Sequence, residues 1–222
     1  MSEAVVIETL EHYERLIDQG IDPFRDPPAL QAYMRRWDGP LFFDALGDLS
    51  DKDVLEIGVG TGRIAGQILD RGCRHLTGID FSLKTIERAR ENLAKHPNVE
   101  LVFSDVADFV KPSAFDVAYS VLTFMHIAEK RKVLENVVDS LKPRGRIILS
   151  VAEQGEWLDV MPWRVRLHYE PPKEYARLLE GLGCVVAEPV ALIDTWISPR
   201  GKKEETHGKK IATMIQATKI GE

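Results

Sequence analysis

The chain has 222 residues, with 29 Lys+Arg against 35 Asp+Glu, a formal net charge of -6 and 44% hydrophobic residues. That length suits one α/β domain with a full core, and the ordinary charge and hydrophobicity argue against disorder or a general pull toward nucleic acid. Two cysteines, Cys73 and Cys184, exclude a multi-disulfide scaffold, and no apolar run approaches the ~20 residues of a membrane span.

Val6, Leu10, Tyr13 and Ile17 fall at helical spacing and stop at Gly20. The charged start of this segment lacks a signal-peptide core, so a cytoplasmic protein without a membrane partner is expected. After DPFRDPP, the stripe Leu30, Tyr33, Met34 and Trp37 predicts a second helix, which FFDAL continues. From residue 53 strands and helices alternate. DVLEIG, HLTGID, NVELVFSD, FDVAYSVL and RIILSVAE read as strands. Between them lie helices bearing Ile64–Leu69, Leu83–Leu93 (capped by Ser82) and Val133–Leu141, the last stopped by Pro143 and Gly145. Residues 153–171 break the alternation and are rich in aromatic and charged groups. EYARLLEGL predicts a helix, CVVAEPVALIDTWI and KKIATMIQATK two strands, and PRGKKEETHG an exposed hairpin loop.

Alternation of this kind predicts a doubly wound, mostly parallel sheet that binds ligands at the carboxyl ends of its strands. We read one domain: a helical cap (1–50), a cofactor-binding core (51–152), and an acceptor-side, sheet-closing part (153–222).

The informative stretch is Glu56-Ile57-Gly58-Val59-Gly60-Thr61-Gly62-Arg63, at the end of the first predicted strand. Three alternating glycines remove side chains where a strand turns into a helix, which lets a ligand approach the backbone. Read from Gly60, GTGRIA also satisfies the dinucleotide pattern G-x-G-x-x-G/A, and Asp80 follows at the end of the next strand. A carboxylate there accepts from the ribose of any adenosine cofactor. A NAD(P)-dependent oxidoreductase therefore stays open on these residues alone.

Five segments in order resemble the class I S-adenosylmethionine-dependent methyltransferases: VLEIGVGTGRIA, GIDFS, FSDVADF, FDVAYSVLTFMHI and LKPRGRIILSV, over residues 53–151. The resemblance implies a Rossmann-like seven-stranded sheet whose last strand, near 210–218, runs antiparallel. It implies S-adenosyl-L-methionine as cofactor, S-adenosyl-L-homocysteine as product, and methyl transfer to a small-molecule O, N or C acceptor. A non-catalytic S-adenosylmethionine-binding module is the other alternative. Carried over by position, Gly58, Gly60, Thr61, Gly62 and Arg63 would form the cofactor loop, with Glu56 ordering the amino-acid end. Asp80 would hold the ribose, with Phe81 against the adenine and Ser82 beside it. Asp105 and the Val106 backbone would recognise the adenine, and Ser120, Val121 and Leu122 would lie beside the sulfonium.

His126, after the fourth strand, reads as a base or acceptor contact, or else as a packing histidine. Tyr33, Arg35 and Trp37 from the cap, and Trp157, Trp163, His168 and Tyr169 after the fifth strand, are candidates for substrate contacts or a lid. From the cap, Arg35 or the adjacent Arg36 would meet the cofactor carboxylate. Histidines and cysteines show no zinc-ligand spacing, and no metal is expected. No nucleic-acid partner is expected, and monomer and homodimer are both open.

Overall fold

A computed structural model describes residues 4–153, 155–198 and 200–221. The chain opens with a short strand, β1 (Val5–Ile7), followed by α1 (Thr9–Asp18), α2 (Pro28–Asp38) and α3 (Pro40–Leu46). The alternating part comprises β2 (Asp53–Ile57), α4 (Arg63–Leu69), β3 (His75–Asp80), α5 (Leu83–Asn92), β4 (Val99–Phe103) and β5 (Phe115–Val121). A one-turn 3-10 helix (Phe124–His126), α6 (Lys130–Ser140) and β6 (Leu141–Ala152) complete it. Then come β7 (Trp157–Val160), β8 (Trp163–Arg166), α7 (Pro172–Gly181), β9 (Cys184–Val186), β10 (Val190–Ile193) and β11 (Lys210–Lys219).

The main sheet runs β4-β3-β2-β5-β6-β11, and both β9 and β10 pair with β11. Its eight strands thus fill seven positions across. Strands β2 to β6 are parallel to their neighbours, and β11 is antiparallel to β6, as the resemblance implies. Alternation along each strand sends successive side chains to opposite faces. Val54, Val117 and Ile148 meet α3, α4 and α5, whereas Leu55, Ala118, Ile147 and Leu149 meet α6 and α7. Strand order reverses at β2, which pairs with both β3 and β5. The loops after β2 and β5 therefore part at this point and open a crevice.

Four expectations change. Val6 belongs to a strand, not to the first helix, because β1 pairs in parallel with the distant β8. Residues 153–171 are not irregular: β7 and β8 form a hairpin that joins β1 in a separate three-stranded sheet. CVVAEPVALIDTWI is two strands, since Pro189 has no N–H to continue the ladder. Leu141 starts β6, so α6 ends before Pro143. Ser82 does cap α5, its hydroxyl accepting from the Thr85 amide at 3.2 Å. In the loop before β11, Thr206 is tied to Asp194, and Pro199 lies outside the described residues.

Candidate active site

A cavity of about 630 Å³ lies at the carboxyl ends of β2, β3 and β5, within the size range of small-ligand sites. Of the residues singled out in the sequence, Glu56, Gly58, Gly60, Thr61, Arg63, Asp80, Phe81, Asp105, Val106, Val121, Leu122 and His126 all line it. Gly62, Ser82 and Ser120 stand behind its wall. A Cβ on Gly62 would come 2.9 Å from Leu93 Cδ1, Ser82 caps α5, and the Ser120 hydroxyl donates to the Ile57 carbonyl at 3.0 Å.

The glycines serve different ends. Gly58 has φ +73, and a Cβ there would lie 2.2 Å from Thr123 Oγ1. It is needed for the close approach of the β2 loop to the turn after β5. Gly60 has φ +56 and nothing within 4 Å of a Cβ, so its backbone faces open space. Across the cavity Leu122, with φ +60, adopts a left-handed conformation uncommon for a branched residue and turns the chain out of β5.

Asp80 accepts from the Gly60 amide on one carboxylate oxygen and from the Ser82 amide on the other, each at 3.0 Å. Burial raises its pKa, while these donors oppose the rise. Asp105 accepts from the Ala107 amide at 2.8 Å, so it both shapes its turn and lines the cavity. Glu56 is buried and accepts from the Tyr119 hydroxyl at 2.7 Å. Burial pushes Glu56 up to about 8, with the nearby Arg63 guanidinium working against the shift. Arg63 is itself paired with the fully buried Asp38, and its Nη1 is buried without a hydrogen-bond partner.

His126 Nε2 and the Tyr13 hydroxyl are hydrogen-bonded at 2.9 Å, and both residues line the cavity. Burial lowers His126 to about 4 and holds Tyr13 above the usual phenol value, so both are neutral at pH 7. Tyr13 was not foreseen: in the sequence it is one member of an apolar helical stripe, and its partner lies 113 residues away. Thr9, Pro23, Met34, Thr123 and Met125 are further lining residues without a local sequence signal.

The expected lid residues lie elsewhere. Tyr33 and Trp37 stack against Arg36, at 3.7 and 4.2 Å from its guanidinium, and Tyr33 meets Trp196. One residue further along α2, Met34 reaches the cavity in their place. Arg35 is exposed and Arg36 is spent on Asp194 at 2.8 Å, so neither arginine faces the cavity. Trp157 stacks on Arg164 at 4.6 Å, and Trp163 donates to His12. The His168 amide donates to the Met125 carbonyl at 2.7 Å, and Tyr169 is exposed. Among the described residues, none after Val133 lines the cavity, so residues 153–222 do not supply the expected acceptor contacts there. The reason is that residues 157–166 are folded into their own sheet with β1.

Residues 54–145 match a family described as a methyltransferase domain. The segment that carries the glycine loop, Asp80 and Asp105 is thus similar to a methyltransferase domain. The chain is 30% identical over 111 residues to the O-methyltransferase rstn1 of Aspergillus nomiae, covering 48% of this chain and 49% of that protein. It spans about half the length of the curated relatives it matches. Its fold is shared with an S-adenosylmethionine-dependent methyltransferase structure from Listeria monocytogenes (TM-score 0.69, 20% identity, 84% and 99% of the two chains). It is also shared with the Burkholderia thailandensis 1,6-didemethyltoxoflavin-N1-methyltransferase, solved with S-adenosylhomocysteine bound (TM-score 0.65, 19% identity, 95% and 87% of the two chains). Other matches include an N-methyltransferase and a cyclase. S-adenosylmethionine is the cofactor of the family, and two observations fit it: the open backbone at Gly60 and the carboxylate of Asp80 at the cavity wall.

Glu56 makes the first prediction. Protonated for the most part at pH 7 in the free protein, it is expected to ionise when the cationic ammonium of S-adenosylhomocysteine enters. Calorimetry at pH 7 in buffers of different ionisation enthalpy should show proton release approaching one per site, and Glu56→Gln should abolish it. Because the folded pKa is raised from 4.5 to about 8, stability of the free protein falls as pH rises between those values. Affinity should rise over the same approach to pH 8.

Proposed function

We propose that the chain transfers a methyl group from S-adenosylmethionine to a small-molecule O, N or C acceptor. The observation that carries this reading is the cavity, which joins the glycine loop, Asp80 and Asp105 to the Tyr13–His126 pair. When bound, the cofactor supplies an electrophilic methyl group on a positively charged sulfur with a neutral leaving group. Asp80 holds the ribose hydroxyls, and Asp105, the Val106 backbone and Phe81 take the adenine. The loop from Gly58 to Arg63, with Glu56 beneath it, orders the amino-acid end. Ser120 braces this loop by its bond to Ile57, while Val121 and Leu122 line the wall and keep water out.

Within this reading, residues 1–50 act as the cap, which contributes Thr9, Tyr13 and Met34 to the cavity, and 51–152 as the cofactor part of one domain. Residues 153–222 close the sheet. The free, buried thiols of Cys73 and Cys184 support a cytoplasmic setting. Among the described residues no helix is long and apolar enough to cross a membrane.

Holding two reactants in register can remove roughly 7–11 kcal/mol of a barrier, and an acceptor that sheds a proton needs a base besides. The neutral His126 is that base by way of Tyr13, whose hydroxyl passes its proton to Nε2 as its oxygen takes up the acceptor's. For such an acceptor, Tyr13→Phe and His126→Gln are each expected to lower kcat by ~10²–10⁴-fold. With cofactor saturating, the wild-type kcat/KM for the acceptor should stay flat from pH 8 downward and fall only as His126 takes up a proton near 4, not at the ordinary 6.5.

Calorimetry with S-adenosylhomocysteine, S-adenosylmethionine and NAD(P), followed by methyl transfer from labelled S-adenosylmethionine to a metabolite panel, tests the reading. Binding of the adenosyl compounds and labelled product support it. Dinucleotide binding without adenosyl binding overturns it, and cofactor binding with no turnover on any acceptor would favour a binding module.

A further inference from the structure

Tyr13 reaches the cavity from α1, and the placement of that helix depends on its neighbour, His12. His12 is buried, and its Nδ1 accepts from the Trp163 indole N–H at 3.0 Å. Trp163 lies on β8 directly opposite Val5 of β1, and only Glu8 separates β1 from α1. The backbone ladder and the indole bond therefore grip the same end of the helix. Arg15, one turn further along, covers the Trp163 ring at 5.1 Å. The other end of α1 is tied to α5 by Asp18 and Lys84 at 2.8 Å, an exposed ion pair of the kind that contributes little.

Adjacent residues on an α-helix project about 100° apart. His12 accordingly engages the small sheet while Tyr13 meets His126, with the His12 and Tyr13 rings edge-to-face at 5.0 Å. We propose that Trp163 and His12 are positioning residues for the methyl-transfer site: their buried hydrogen bond sets the rotation and height of α1, and with it the place of Tyr13 against His126. The use of that pair rests on the functional reading above; the coupling between the two contacts does not. A shift of about 1 Å in a positioned group costs on the order of 100-fold in rate, so a slip of this helix reaches the chemistry without touching the cofactor loop.

The test follows the imidazole nitrogens of His126 by NMR in the full chain, assigned by their loss in His126→Gln. Trp163→Phe, which removes the indole donor, should shift them toward the positions seen in Tyr13→Phe. His12→Leu, which removes the acceptor, should do the same. In a Tyr13→Phe background, Trp163→Phe should move them no further. Affinity for S-adenosylhomocysteine should stay within about twofold, because Asp80 and the glycine loop sit on the main sheet. With an acceptor from the panel, kcat should fall about 10-fold or more while the cofactor KM is unchanged. The proposal is overturned if His126 is unmoved in both variants, if it moves equally when Tyr13 is already absent, or if cofactor affinity is lost in parallel. A wild-type chain that binds no S-adenosylhomocysteine would sink the functional reading, and the resonance comparison would still decide this one.

Discussion

Replacing Asp80 by alanine is expected to weaken S-adenosylhomocysteine binding by roughly 100-fold or more, since hydrogen bonds to a charged group contribute about 1.5–3 kcal/mol each. The carboxylate ends β3 beside the point where strand order reverses. Each of its oxygens already accepts one backbone amide, from Gly60 or Ser82. An ionised carboxylate has about four lone-pair sites, so acceptor capacity remains for both ribose hydroxyls. Alanine removes those contacts and also frees the Gly60 amide, so the glycine loop keeps only its Gly58 and Val59 bonds to the Ile79 carbonyl of β3. Asp80→Asn keeps one acceptor oxygen and should lose less. Calorimetry measures both, and a thermal melt of each variant separates loss of binding from loss of fold. Unchanged affinity in Asp80→Ala would place the ribose elsewhere.

Gly58→Ala should destabilise the protein by about 2–5 kcal/mol, from roughly 1–2 for a side chain in the left-handed region and typically 1–3 for overpacking. The new methyl carbon would stand 2.2 Å from Thr123 Oγ1 and 2.5 Å from its Cγ2. Thr123 cannot withdraw freely, because its hydroxyl donates to the Ile57 carbonyl at 3.2 Å. It also immediately precedes the turn that carries His126. Gly60→Ala shares the positive φ but meets no atom within 4 Å. It should cost about 1–2 kcal/mol and instead put a methyl group where the cofactor is expected. Urea unfolding should therefore rank Gly58→Ala as the less stable variant, while calorimetry should show cofactor binding impaired in Gly60→Ala. Adding Thr123→Gly to Gly58→Ala should recover only the collision part; no recovery would mean that the clash is not the cause.

The parallel sheet was legible because β2, β3, β5 and β6 are mostly buried and read as unbroken apolar runs. The cofactor half of the cavity was legible because it is local: Glu56 to Arg63 are contiguous, and Asp80 and Asp105 each follow a strand. The half proposed for the acceptor is assembled from distant pieces, as when Tyr13 meets His126, and no spacing announces such a pair. Its aromatic candidates were misplaced for a related reason. Trp157, Trp163, Arg164 and Arg166 form a cluster that describes a lid and a packed hairpin equally well in composition. The available signal was the period-two alternation of WLDV and WRVR, obscured by the Pro162 between those strands. Val5-Val6-Ile7 failed differently, because its apolar residues run in phase into the stripe of α1 and its strand partner, Trp163–Val165, is remote in the chain.

That long-range pairing gives the molecule a sequence of assembly. The parallel strands β2 to β6 all lie within residues 53–152 and can pair with one another without the chain on either side. Val5–Ile7 must wait for Trp163–Val165 to be synthesised before it has anything to pair with, and closing so large a loop carries an entropic penalty. Val5–Ile7 is therefore expected to be among the last segments to dock. Helix α1, held at one end by that pairing and at the other by an exposed ion pair, is expected to open before the core does. A partly opened chain can thus retain the parallel core and its glycine loop while lacking Tyr13, which on the proposed reading would divide competence for cofactor from competence for acceptor along the axis of folding itself.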